Sequence, residues 1–147
     1  MASKIPHKTL ANMIAAWAAA STVKARLVMN TTTCDTEIDG IVNLSNYTTI
    51  DKSDAGGYAD VAVTTETVTS DDGNNRAEYS ADTVVFSGLG GDATRDYQGV
   101  LLFDYVDGTN ANDKSPIFLE FTAPIPKAAT QVTVPWNAEG IVQFAQV

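Results

Sequence analysis

The chain has 147 residues, 44% hydrophobic and 18% charged, with one cysteine and a formal charge of −9. That length suits one core, and the composition argues against general disorder. A single thiol excludes an intrachain disulfide, and no apolar run approaches the roughly 20 residues of a membrane-spanning helix. The charge is lopsided: residues 1–34 hold Lys4, Lys8, Lys24 and Arg26 and no acid (+4), while the rest hold five bases and 18 acids (−13). A polyanionic body argues against nucleic acid as the principal ligand, because phosphate contacts need clustered bases. A basic segment ahead of an acidic body suits docking on an acidic protein surface or on another copy of the chain.

In chain order, KIPHKTLANMIAAWAAAST has the outline of a secretory signal, but its apolar part is short and is interrupted by Asn12. The Ala-rich stretch after Pro6 predicts an amphipathic helix, with Leu10, Met13, Ile14 and Trp17 as its apolar stripe. The stripe covers either an end of the protein's own core or another subunit. VKARLVMN at 23–30 alternates, which predicts a strand with Lys24 and Arg26 on a wet face. IVNLSNYTTI at 41–50 and YADVAVTTETV at 58–68 predict further strands. TETVTS and RAEYSA flank DDGNN, whose Asp, Gly and Asn supply the positive φ angles of a hairpin turn. TVVFSGL, DYQGVLLFDYV, PIFLEF, QVTVPW and GIVQFAQ complete the series.

This reads as an all-β fold, an antiparallel β-sandwich (jelly-roll-like) of about 7–9 strands behind an N-terminal amphipathic helix. The expected organisation is a basic arm and helix over residues 1–22 and one β-sandwich domain over 23–147. Deleting residues 1–20 is then expected to leave the β domain folded.

Chemical candidates are few. In DGTNANDKS at 107–115, Asp107, Asn110, Asn112 and Asp113 are oxygen donors, but the loop lacks the EF-hand pattern and reads as a solvated turn. The only histidine, His7, stands in the basic arm, far from any nucleophile in sequence. Cys34 is followed by Asp35, which raises a thiol pKa, so it reads as an incidental thiol. Asp104 and Glu120 sit on successive strands as a carboxylate pair, yet they alternate with Phe103, Tyr105, Phe118 and Phe121 as core positions do. GLGGD at 88–92 lacks the Lys of a phosphate loop, and one Cys with one His is too little for zinc. Trp17 and Trp136 read as packing anchors. The expectation is no catalysis, no cofactor, no metal and no small-molecule substrate.

The segment GVLLFDYVDGTNANDKSPIFLEF followed by TVPWNAEGIVQF resembles a recurrent tailed-bacteriophage virion protein family, in which "VLLYxDTG…ATxPLIAYxxF" precedes "TIxWxAxGI". The similar positions are Val100 to Tyr105, Asp107, Gly108, Ser115 to Phe121, Val134, Trp136 to Ala138, Gly140 and Ile141. VKARLVMNTT is similar to that family's opening strand, and DDGNNRAEYSADTVVFSGL to its middle, so the likeness spans about residues 23–145. The chain departs from the pattern at LFDYV and in the insert APIPKAATQ.

The resemblance implies a structural component of a phage particle, foremost a capsid decoration or cement protein on the outer shell. It implies the major capsid protein and further copies of the chain, as a homotrimer, for partners; the short apolar runs predict no membrane partner. The alternative is a neck, tail or fibre module that binds a receptor or glycan. The expected interface residues are Lys4, Lys8, Leu10, Met13, Ile14, Trp17, Lys24 and Arg26.

Overall fold

A computed structural model describes residues 6–20, 22–74, 76–90, 95–136 and 140–145. Within them lie helix α1 (His7–Ala20) and strands β1 (Thr22–Met29), β2 (Val61–Ala62), β3 (Thr67–Asp71), β4 (Arg76–Ser80) and β5 (Val84–Phe86). Strands β6 (Tyr97–Tyr105), β7 (Lys114–Ile125), β8 (Val132–Val134) and β9 (Val142–Ala145) follow. The protein is thus mostly β, every strand pairing is antiparallel, and α1 is its one α-helix among the described residues. The strands form three sheets, ordered β2-β1-β6-β7, β3-β4-β9 and β5-β8. The chain divides into two compact units.

The first unit comprises Met1–Ser21, Val63–Thr83 and Pro135–Val147. Its hairpin is the one the Asp, Gly and Asn turn predicts: Thr67 pairs with Ser80 and Asp71 with Arg76. Asn75, part of that predicted turn, lies outside the described residues, as does Lys4. β9 adds to the other edge of β4, Tyr79 opposite Val142. Helix α1 packs on this sheet, with Ala11 and Ile14 buried and Trp17 meeting the fully buried Tyr79 edge-on at 5.4 Å. The helix therefore covers part of its own unit, and its removal would uncover the Tyr79 ring, at a cost in stability to the sheet that carries it. Trp136 donates its indole N–H to the Asp82 carbonyl at 2.7 Å.

The second unit comprises Thr22–Ala62 and Val84–Val134. β1 and β6 run through the middle of its larger sheet, Arg26 opposite Leu101 and Ala25 opposite Leu102. The wet face expected of β1 is absent, because Arg26 is 5% exposed and Val28 fully buried. The excursion after β1 folds back over that face. Met29 N–H donates to the Asp51 carbonyl at 2.7 Å and Ser53 N–H to the Leu27 carbonyl at 3.2 Å. Leu44, Tyr47 and Ile50 then pack with Val28, Cys34, Leu101 and Phe103.

The strand predicted at 41–50 is instead a 3-10 turn over Leu44–Asn46. Asn46 Oδ1 accepts the N–H groups of Val42 and Asn43, both at 3.0 Å, an arrangement that competes with any ladder. Likewise, only Val61–Ala62 of the predicted 58–68 run joins β1. β5 and β8 lie within the predicted runs TVVFSGL and QVTVPW: Val84, Phe86, Val132 and Val134 are buried, and Val85 faces out.

Candidate functional site

A cleft of about 370 Å³ opens on the second unit between the excursion after β1 and the surface of β7. Cys34, Tyr47, Pro116 and Phe118 give it an apolar floor, and Ile38 and Ile41 line its side. Ile38 is 79% exposed, and Val42, four residues further along the chain, is 67% exposed. Three carboxylates, Asp35, Glu37 and Glu120, rim the opening.

Local hydrogen bonding fixes that rim. Thr33 Oγ1 donates to Glu37 Oε2 at 2.8 Å and accepts from Thr49 N–H at 3.0 Å. Thr48 donates both its N–H and its hydroxyl to the same carboxylate. These bonds, Thr48's first, hold the Glu37 carboxyl below its usual range, so it stays charged. Gln98 Nε2 donates to Asp35 Oδ2 at 3.1 Å and Glu120 Oε1 at 3.3 Å, drawing two like charges to one amide. Within the described residues none of the three acids forms an ion pair. Beneath them, burial pushes the Cys34 thiol up, with Asp35 a lesser cause, which suits an inert thiol. Burial also pushes the Tyr47 phenol up to about 12.

The residues expected at an interface are scattered. Ile14 is buried under α1, Leu10 and Trp17 are half-buried, and Met13 is 61% exposed. Lys8 is exposed, 3.9 Å from Asp72. Lys24 lies over the Tyr105 ring at 3.4 Å. Arg26 is engaged internally: Nη2 meets Asp60 Oδ2 at 2.8 Å, and Nη1 donates to Asn110 Oδ1 at 3.1 Å.

Two further expectations change. Register sets Asp104 opposite Lys114 and Glu120 opposite Gly99; strand alternation then puts the two acids on opposite faces of the sheet, so they form no catalytic pair. The 107–115 loop is solvated except at Asp113, which is fully buried. Its Oδ1 accepts the N–H groups of Val106, Asp107 and Gly108 at 2.9, 3.4 and 3.3 Å, so it anchors the loop. Among the described residues no group of three His, Cys, Asp or Glu side chains converges on a metal position, and no helix is long and apolar enough to cross a membrane.

Sequence reasoning missed the cleft. The signal was present, since residues 27–51 hold Asp35, Glu37, Asp39 and Asp51 with Ile38, Ile41 and Val42 and no base. No family model, curated protein or solved structure matches this chain.

Proposed function

We propose that the protein is a structural component of a tailed-bacteriophage particle, a capsid decoration or cement protein on the outer shell. In this reading it binds the major capsid protein and further copies of itself, as a homotrimer, and makes or breaks no covalent bond. The two-unit chain is then read as a variant of a jelly-roll-like β-sandwich. The observation that carries a protein-binding role is the cleft face, where exposed Ile38 stands beside acids that form no ion pair among the described residues. Large solvated aliphatic groups with a polar rim are the mark of a surface that meets another protein. The phage station rests on the resemblance carried by Val100 to Tyr105, Ser115 to Phe121 and Trp136 to Ile141.

The test is copy number. Mass-spectrometric stoichiometry of purified particles is expected to find the chain in numbers comparable to the shell protein, with matching outer density on imaging. A handful of copies would move it to the neck or tail, and its absence from particles would end the reading.

A further inference from the structure

We propose that the acid-rimmed cleft is the seat for the basic N-terminal segment, residues 1–6, of a second copy of the chain. The inference extends the assembly reading, from which the idea of self-contact is taken, and it names the two surfaces that meet.

The cleft and the segment are chemically complementary. The cleft offers an apolar floor at Tyr47 and Phe118 and three carboxylates without ion-pair partners. Glu37 is kept ionised by its hydrogen bonds. A fitting occupant carries a cation next to an aliphatic side chain and brings no acid. MASKIP meets each requirement: Lys4 precedes Ile5 and Pro6, and no acid precedes Asp35, while Lys8 belongs to α1 and stands beside Asp72. Pro6 lacks an N–H, and proline disfavours helical geometry in the residue that precedes it. Charge pairing at a rim speeds encounter and fixes register, while the apolar insertion supplies the burial.

Carbodiimide cross-linking of the full chain, in an equal mixture of ¹⁴N- and ¹⁵N-labelled protein, tests this directly. The expected result is a Lys4 link to Asp35 or Glu120 in which the two peptides carry different labels. Links joining same-label peptides only would show the segment folding onto its own chain. The absence of any Lys4 link to the cleft acids would show that the cleft is not its seat. Either outcome overturns the proposal.

Sedimentation gives a second reading. Lys4→Glu is expected to weaken self-association about tenfold at low salt, the scale of one lost charge contact. Glu120→Lys is expected to do the same, and the two together to restore it. Unchanged association in both single variants overturns the proposal, whether or not the chain is found on shells. Conversely, a chain that pairs through the cleft but never decorates a particle would refute the phage reading and leave the pairing intact.

Discussion

Arg26 shows how a residue that looks solvent-facing in sequence can become a structural hub. Its guanidinium grips Asp60 through Nε at 3.1 Å and Nη2 at 2.8 Å and lies 4.8 Å from the Phe103 ring centre. Tyr58 donates its hydroxyl to Asp60 Oδ1 at 2.7 Å and accepts the Leu27 N–H at 2.9 Å, tying the ion pair to the β1 backbone. The side chains are only 6% and 20% exposed, so deleting one partner strands the other's charge out of water. Arg26→Met is therefore expected to destabilise the fold by about 3 kcal/mol, near the lower limit for breaking a buried pair because Asp60 keeps some solvent. Asp60→Leu alone should also cost stability. The two together should cost less than their sum, since a buried pair replaced by apolar groups is often close to neutral. Urea midpoints of the four proteins check this; strict additivity would mean the pair is uncoupled.

Among the elements, the β6–β7 pairing has a tight point at Gly99. A Cβ there would sit 2.5 Å from the Leu119 carbonyl oxygen and 2.8 Å from Phe118 Cε2. The oxygen belongs to the partner strand's backbone, so it yields only if the pairing shifts. Gly99→Ala is expected to cost about 1–3 kcal/mol, as overpacking does, whereas Gly56→Ala, with nothing within 4 Å, should be nearly neutral. Thermal melts that fell equally for both would refute the steric account.

Elements whose signal is local were legible in the sequence. The β3–β4 hairpin follows from its turn residues, β5 and β8 from short apolar runs, and α1 from Ala-rich sequence. Burial that depends on distant chain was not legible. Arg26 is covered by Asp60 and Asn110, 34 and 84 residues away. The 41–50 run turns inward at Leu44 instead of pairing. The cleft joins Asp35 to Glu120 through Gln98, a juxtaposition that no window of sequence contains.

For the whole molecule, stability should form a plateau in pH with different chemistry at each edge. On the acid side, the Glu37, Asp71 and Asp107 carboxyls are all held below their ordinary values of 4.5, 3.8 and 3.8. The chief causes are hydrogen bonds from Thr48, Asn74 and Thr109 respectively. The folded form then binds fewer protons than the unfolded one, so stability present above those ordinary values is lost as pH falls through them. On the alkaline side the sign reverses. Burial raises the Cys34 thiol above 9.0 and the Tyr47 phenol from 10.0 to about 12, and it pushes Tyr58 and Tyr79 up as well. The folded form now holds protons that the unfolded form releases, so stability is complete below about pH 9 and declines from there through the folded values. Melting temperatures should be level between about pH 5 and 9 and fall on both sides. Phenolate absorbance should show Tyr47, Tyr58 and Tyr79 ionising only above the ordinary tyrosine range or together with unfolding. If these three phenols titrated near 10 with the fold intact, they would have to be solvated. The packing of Tyr79 against α1 and of Tyr58 beside Arg26 would then be wrong.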